Sequence, residues 1–313
     1  MASPPGLLNR RDFLRTTAAT TAATAAACLP AAVTAAAARR ISVVDTHLHC
    51  FAGKDDSRFP YHARGPYQPD AAATPEHLLK CMDGAGVDFA VVVHPEPYQD
   101  DHRYLEHCLE VGGKRLKGTC LFFADRPGSV DRMPALVRRH RKRIVAARIH
   151  AFRPNRIPRF DSPGLKRLWK TASDIGLAIQ LHFSPKHAAG FEPYIREFPK
   201  TTVIIDHLGR PLMGTSKEHA AVVRWARFKN TIMKVSSLPP ADEKTPRPLK
   251  PIIRQLTDAY GAERMIYGGG FNGGATPASY RAYRQRVSEL LAHLSADDQA
   301  RILGGTAARV FGF

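Results

Sequence analysis

Short apolar runs alternate along the chain after residue 40 with longer stretches in which apolar residues recur at helical spacing. Such alternation is typical of β-strands followed by amphipathic helices around a parallel sheet. Eight runs have the length and composition of strands, and they lie at residues 41–47, 89–94, 116–122, 144–149, 177–182, 202–206, 232–235 and 265–268. Because a helix-length segment follows each run, the pattern predicts eight βα units.

Eight βα units predict an α/β fold of one kind, the (β/α)8 TIM barrel, over residues 39–313. This segment is close to the usual barrel size of about 250 residues, so no second domain is needed. The stretch between the first strand and Thr74-Pro75-Glu76 is too long for a plain βα loop. We expect it to overhang the mouth of the barrel, where the carboxyl ends of the strands carry the site.

The first 38 residues have the features of an export signal. Arg10 and Arg11 precede a long Ala/Thr-rich run, and Ala35-Ala36-Ala37 offers small residues for cleavage. We predict a twin-arginine signal peptide over residues 1–38 and a periplasmic or extracellular protein. An uncut Ala-rich anchor helix and a weak lipobox at Cys28 are the alternatives. No later window holds about 18 uninterrupted apolar residues, so we expect no transmembrane segment in the mature chain.

Composition and charge narrow the classes of partner. The 313 residues are 44% hydrophobic and 24% charged, which suits a globular protein and excludes a disordered one. The formal net charge of +18 favours anionic partners. Because the basic residues are scattered and no nucleic-acid motif is present, we predict a small anionic substrate and no nucleic acid. The oligomeric state is not indicated.

Four histidines fall where predicted strands end. His47 and His49 are two residues apart, so alternation places both on one face of the first strand, with Cβ atoms about 6–7 Å apart. His182 ends the fifth predicted strand and His207 directly follows the sixth. Carboxyl ends of barrel strands meet at one mouth, and imidazoles at such distances can share a metal ion. The pattern therefore predicts one shared site.

The later cysteines lack paired zinc spacing and are interpreted as core thiols.

Several segments together resemble one known family, the amidohydrolase-related proteins, whose branch here contains lactonases and non-oxidative decarboxylases. They are the Asp45-Thr46-His47-Leu48-His49 opening, His182, the Asp206-His207-Leu208-Gly209-Arg210-Pro211 segment and residues 302–312. The resemblance implies that His47, His49 and His182 bind one divalent metal ion per chain, usually Zn2+. It also implies that the strand-six histidine, His207, is the catalytic residue that contacts substrate or the attacking water.

One departure from the family pattern lies at the eighth strand. The family strand normally ends Trp-Gly-Ser-Asp-Trp-Pro, and its aspartate completes the metal shell, whereas this chain reads Tyr267-Gly268-Gly269-Gly270-Phe271-Asn272. Gly270 offers neither a ligand oxygen nor a base. Three histidines can still hold zinc with water in the fourth position, but a chain without metal stays open as an alternative. Asn272 is interpreted as a loop cap.

The fourth predicted strand supplies candidate substrate contacts. It carries no lysine for a metal-bridging carbamate, so a second metal is not expected. Arg148 and His150 stand near its end. The permanently charged guanidinium of Arg148 suits a substrate carboxylate, and His150 can assist it.

The leading hypothesis is a metal-dependent hydrolase that acts on a lactone-like or other carboxylated small molecule. A non-oxidative decarboxylase of the same fold is an alternative that needs the same basin. A catalytically impaired barrel acting as a binding protein is another, because the missing aspartate removes a proton acceptor. A lactonase that works without metal is the remaining alternative.

Overall fold

The computed structural model of the chain describes residues 41–153, 156–240 and 243–313. The predicted signal peptide over residues 1–38 lies outside the described residues. Eight parallel strands pair in chain order and form a nearly closed barrel, which confirms the predicted (β/α)8 TIM barrel. The strands are β1 Val44–Leu48, β2 Phe89–Val93, β3 Leu116–Leu121, β4 Ile144–Ala151, β5 Ala178–Phe183, β6 Val203–Ile205, β7 Thr231–Val235 and β8 Met265–Tyr267.

All eight predicted strands are present, and differences are confined to their ends. β1 begins three residues later than predicted, at Val44, because its ladder with β2 starts with the pair Val44 and Phe89. β4 runs two residues beyond its predicted end, since His150 pairs with His182 and Ala151 pairs with Phe183 of β5. This extension carries His150 to the barrel mouth.

Helices follow the strands and cover the outside of the barrel. They are α1 Pro75–Ala85, α2 Arg103–Gly112, α3 Met133–Arg139, α4 Pro163–Asp174, α5 Ala188–Glu197, α6 Ser216–Arg224, α7 Leu249–Tyr260, α8 Pro277–Leu290, α9 Ala296–Ala300 and α10 Thr306–Phe311. Local sequence explains their starts. The Thr74 hydroxyl accepts the His77 N–H and Pro75 opens the first turn of α1. The Thr276 hydroxyl accepts the Ser279 N–H at the start of α8.

The interior of the barrel is apolar at its amino end. Seven strands each contribute a buried residue to one cluster, namely Val44, Val91, Ala146, Ala178, Ile204, Ile232 and Ile266. Ala307 and Phe311 of α10 join this cluster and cover it from below. Lys117 of β3 donates hydrogen bonds to the carbonyls of Phe311 and Gly312, so the chain end is tied to the barrel floor. The amino end of the barrel interior is thus filled, and open space is left at the carboxyl end.

Side chains join the first and last strands. The Thr46 hydroxyl donates to the Tyr267 carbonyl at 2.6 Å. The Asp45 carboxylate accepts the Gly269 N–H at 2.8 Å and the Tyr280 hydroxyl at 2.5 Å. These bonds hold β8 and α8 against β1, although no ladder between the two strands is found among the described residues. They also fix the strand that carries His47.

The four cysteines within the described residues, Cys50, Cys81, Cys108 and Cys120, are buried free thiols. This agrees with their interpretation as core residues. No helix in residues 41–153, 156–240 and 243–313 has the length and apolar character needed to cross a membrane.

Gly304 is a stringent packing position, because a Cβ atom there would lie 1.6 Å from the Ser42 carbonyl oxygen. We expect Gly304→Ala to destabilise the barrel by about 3 kcal/mol or more, since backbone must move to relieve the overlap. Thermal unfolding followed by circular dichroism measures the effect, expected as a fall in Tm of about 6–12 °C.

Gly305→Ala is the matched control, because its Cβ would lie 3.3 Å from the Ile41 side chain, and the next atom, the Ala300 carbonyl oxygen, would be at 3.8 Å, which is ordinary contact. We expect a Tm close to that of the parent. Equal losses in the two variants would show that the Ser42 contact does not limit this position.

Candidate active site

A cavity of about 540 Å3 opens at the carboxyl ends of the strands, and we call it the basin. All six residues singled out from the sequence line the basin, namely His47, His49, Arg148, His150, His182 and His207. Tyr67, from the long segment after β1, also lines it, as expected for a loop that overhangs the mouth. The structure thus brings the predicted residues together, while their individual roles stay predictions.

A completely buried carboxylate, Asp206, lies beneath the basin directly after β6. Its Oδ1 lies 3.1 Å from Lys234 Nζ and 3.3 Å from His47 Nδ1. Its Oδ2 accepts the Gln180 amide at 3.0 Å and lies 3.2 Å from Arg148 Nη2. Both oxygens therefore have charged or polar partners, and we call this group the Asp206 cluster.

The protonation of the Asp206 cluster follows from its burial and its charges. Burial alone would raise the pKa of the Asp206 carboxyl, but Lys234, His47 and Arg148 hold it well below the usual value. Burial lowers the pKa of the Lys234 ammonium, and Asp206 opposes that effect. The pair is therefore an ion pair, and Asp206 is not a base at neutral pH.

Three basin histidines are anchored through Nδ1. His47 Nδ1 lies beside the Asp206 carboxylate, His49 Nδ1 donates to the Val93 carbonyl at 2.7 Å, and His207 Nδ1 lies 2.8 Å from Ser236 Oγ. Anchoring of Nδ1 fixes the ring and leaves Nε2 as the atom available to a ligand. Within the described residues no hydrogen bond involving these three Nε2 atoms is found.

The same histidines are neutral at physiological pH. Burial lowers the pKa of His47 to about 4, although Asp206 opposes the shift. Burial, followed by the nearby positive charge, also holds the pKa values of His49 and His207 well below 6.5. Neutral imidazoles can accept a proton or bind a metal ion, so all three are in the state that either role requires.

His182 differs, because both of its ring nitrogens are engaged. Arg210 Nη2 donates to His182 Nε2 at 2.8 Å, since a guanidinium has no acceptor. The proton of His182 therefore lies on Nδ1, which donates to His150 Nε2 at 3.1 Å. His150 Nδ1 lies 3.7 Å from the buried Glu96 carboxylate. As the structure stands, His182 has no lone pair available for a metal.

An unusual turn after β6 places His207 and Arg210 at the basin. Four consecutive residues from His207 to Arg210 have φ angles between 57° and 68°. Left-handed conformations cost non-glycine residues about 1–2 kcal/mol each. Strain of this kind is typical of functional sites, where the surrounding structure holds it in place. Here the turn aims an imidazole and a guanidinium at the same cavity.

The charge of the basin lining is positive. Arg148, Arg153 and Arg210 line it, against a single carboxylate, Glu96. Glu96 Oε1 lies 3.1 Å from Arg156 Nε, so an ion pair balances the charge of that carboxylate. Arg148 was predicted to bind a substrate carboxylate, and the structure shows it also paired with Asp206. The lining therefore favours anionic ligands.

The described residues include a group whose donor atoms lie close enough to hold a metal ion: His47, Asp206 and His207. Two imidazoles and a carboxylate are a donor set that zinc accepts. This grouping shares only His47 with the predicted set of His47, His49 and His182. The free Nε2 atoms of His47 and His49 fit a metal as well, because metal-bound imidazoles usually donate their other N–H to a carboxylate or backbone carbonyl.

Sequence reasoning did not identify Lys234 or Glu96 as parts of the site. A lysine in the middle of the apolar strand Thr231–Val235 is a signal that could have pointed to a buried ion pair. Glu96 carries no such signal, because it begins a short 3-10 turn, Glu96–Tyr98, after β2. Asn272 is a turn residue, as interpreted, since its Oδ1 accepts the Gly274 N–H at 2.9 Å.

Comparison with known proteins gives one family. The profile described as amidohydrolase matches residues 44–313. An L-fucono-1,5-lactonase of Burkholderia ambifaria is 24% identical over 256 residues, which are 76% of this chain and 84% of that protein. A 4-sulfomuconolactone hydrolase of Rhizobium radiobacter is 29% identical over 167 residues, which are 53% of this chain and 52% of that protein.

Solved structures share the fold. A structure from Acinetobacter baumannii, described as a probable 2-pyrone-4,6-dicarboxylic acid hydrolase with citric acid bound, superposes with a TM-score of 0.70. It is 20% identical in sequence, and the match covers 87% of this chain and all of that one. An amidohydrolase of Burkholderia multivorans with bound zinc gives a TM-score of 0.67 at 16% identity and covers 87% of this chain and 99% of that one. At these identities the likeness shows the barrel fold alone.

Buried neutral histidines should make the protein sensitive to acid. The folded pKa of His94, lowered by burial to about 4, lies below its unfolded value of 6.5, so the unfolded state binds protons first. Stability is therefore full above pH 6.5 and falls as the pH drops toward 4, by up to about 1.4 kcal/mol per pH unit for each such group. Urea unfolding of metal-free protein between pH 5 and 7.5 measures the slope.

His94→Gln should flatten this slope, because an amide can donate to the Gln99 carbonyl that His94 contacts at 2.9 Å without titrating. A variant with the parent slope would contradict the assignment of His94 as a buried neutral imidazole.

Proposed function

The chain belongs to the amidohydrolase family, and from this premise we propose that it hydrolyses a lactone-like ring bearing a carboxylate or another anionic group. The observation that carries the proposal is the meeting of five histidines and three arginines in one basin at the carboxyl ends of barrel strands. Hydrolysis of lactones is also what the names of two curated relatives describe for those proteins.

The anionic group of the substrate would be held by the arginines. Arg210 contacts His182 through Nη2 and Nε, and its Cζ lies 5.0 Å from the Phe152 ring centroid, so its position is defined from two sides. Arg148 and His150 stand beside it on β4. A planar guanidinium pairs with a carboxylate through two parallel hydrogen bonds, which orient the substrate as well as attract it.

A divalent ion, which we propose to be one zinc per chain, fits the free imidazoles. His47 and His49 would hold it through Nε2, with His182 as a third donor where Arg210 releases that nitrogen. When bound, such an ion would supply Lewis-acid polarisation of the ester carbonyl and a water of lowered pKa. The Asp206 cluster would support this by keeping the His47 ring in place.

His207 is the proposed proton acceptor. Its ring is held by Ser236 at Nδ1, its conformation is set by the left-handed turn, and its imidazole is neutral. A neutral, oriented imidazole facing the cavity can orient the attacking water and take its proton, then return the proton to the leaving alkoxide oxygen. In this proposal His207 performs both transfers, because the strand-eight carboxylate is replaced by Gly270.

Purified protein should open carboxylated δ-lactones with kcat/KM about tenfold or more above that for neutral lactones of the same ring, because charge-assisted hydrogen bonds contribute about 1.5–3 kcal/mol. The double variant His47→Ala/His49→Ala should lose both hydrolysis and bound metal, since it removes two free Nε2 donors. A pH-stat assay measures ring opening, and elemental analysis by mass spectrometry measures zinc per chain.

His140→Ala is the matched control, because His140 contacts Glu106 and does not line the basin. It should retain activity and metal. Ring opening by a metal-free parent would refute the zinc proposal but would still support the proposed hydrolase activity. If the metal-loaded parent opens neither the carboxylated nor the neutral lactones, the proposed hydrolase activity is refuted.

We also propose that the chain is exported through the twin-arginine pathway and acts in the periplasm or outside the cell. The support is the Arg10-Arg11 pair before the Ala/Thr-rich run. Arg10→Lys/Arg11→Lys should retain the full chain in the cytoplasm, as measured by fractionation and immunoblotting in a bacterial host. Arg39→Lys/Arg40→Lys is the matched control and should not alter export. Export of the Arg10/Arg11 variant would contradict the proposal.

A further inference from the structure

The backbone after β8 adopts a conformation that only glycine tolerates well. Gly269 has a φ of 115° and Gly270 a φ of 102°. Residues with side chains rarely adopt these angles. Gly270 is also the position at which the family pattern carries an aspartate, so the departure seen in the sequence comes with a backbone that does not favour any side chain there.

The space at these glycines is filled by Tyr283 of α8. A Cβ atom on Gly270 would lie 2.8 Å from both Cβ and Cγ of Tyr283, and one on Gly269 would lie 3.0 Å from the Tyr283 hydroxyl oxygen. The ring therefore rests directly on the glycine backbone. An aspartate at position 270 and this tyrosine would compete for one volume, and the chain has the tyrosine.

Tyr283 also lines the basin, together with Gly269, Gly270 and Ser237. Its hydroxyl oxygen accepts the Leu238 N–H at 3.3 Å, which orients the phenol from the strand-seven side. Among residues 41–153, 156–240 and 243–313, no hydrogen bond donated by this O–H is found. The hydroxyl thus keeps a donor for a ligand in the basin.

The phenol is a donor and not a base. Burial raises the pKa of Tyr283 to about 12, so the hydroxyl stays protonated at neutral pH. A fixed neutral donor near a carbonyl oxygen stabilises the negative charge that develops there during attack by water. This role differs from that of an aspartate, which accepts a proton.

We infer that Tyr283 is a substrate-contacting residue of this chain, whose hydroxyl donates a hydrogen bond to the carbonyl oxygen of the lactone at the rim of β8. The inference rests on the proposed function, because it assigns a place to the ester group. It makes Gly269 and Gly270 the surface against which the phenol packs. It also assigns the loss of the carboxylate to a change of role: a donor to the oxyanion replaces a proton acceptor.

Tyr283→Phe removes the hydroxyl and keeps the ring on the glycines. We expect kcat on a carboxylated δ-lactone to fall about tenfold to a hundredfold, with a smaller change in KM, because the bond strengthens as charge develops on the oxygen. The Tm should stay close to that of the parent. Tyr194→Phe, which removes a hydroxyl from α5 outside the basin, is the matched control and should keep the parent kcat.

Binding provides a second measurement that does not depend on turnover. A carboxylated δ-lactam has the same ring and carbonyl but resists hydrolysis, so its Kd can be measured by calorimetry for parent and variant. Loss of one hydrogen bond of about 1 kcal/mol should weaken binding about fivefold in Tyr283→Phe. If Tyr283→Phe has the same Kd for the lactam as the parent, or the same kcat on the lactone, the inference is overturned. A parent that binds the lactam but opens no lactone would refute the proposed function alone.

Gly270→Asp tests the contact between this glycine and the Tyr283 ring. Restoring the family carboxylate should lower kcat and raise the Kd of the lactam, because the new side chain displaces the Tyr283 ring. A gain in activity or tighter lactam binding would show that the phenol is not the group that serves at this rim.

Discussion

The Asp206 carboxylate joins five strands of the barrel beneath the basin. It follows β6 and contacts Lys234 of β7, His47 of β1, Arg148 of β4 and Gln180 of β5. Removing one partner from such a buried group typically costs about 3–5 kcal/mol, because a charge is left uncompensated. The positions of the basin residues therefore depend on this one charge. Asp206 also determines that His47 presents Nε2 to the cavity, because the carboxylate lies beside Nδ1.

The basin combines fixed positive charge with neutral imidazoles. The arginines keep their charge at any physiological pH, while burial keeps the histidines neutral. The two sets can therefore do different tasks in one cavity: guanidinium groups attract and orient an anion, and imidazoles hold a metal or transfer a proton. Arg210 connects the sets, since the nitrogen of His182 that it contacts is the one a metal would need.

The segment after β8 departs from the family pattern while the fold is kept. Gly270 leaves the family position without a side chain, and Tyr283 of α8 packs against it. The Asp45 carboxylate holds the same segment to β1 by accepting the Gly269 N–H. The strand and its contacts with β1 are kept, while the side chain that fills this part of the mouth comes from α8. Such exchange is possible because barrel loops vary more freely than strands.

The amino-acid sequence by itself determined the eight βα units, the barrel and the gathering of His47, His49, His182 and His207 at one mouth. These follow from local periodicity and from the rule that parallel strands end on the same face. Only the tertiary structure decided which nitrogen each histidine presents, because that depends on partners far along the chain. His47 and Lys234 are 187 positions apart, and Arg148 and Asp206 are 58 apart. Likewise the meeting of Tyr283 with Gly270 depends on how α8 packs over the end of β8, a contact between elements that no spacing in the sequence encodes.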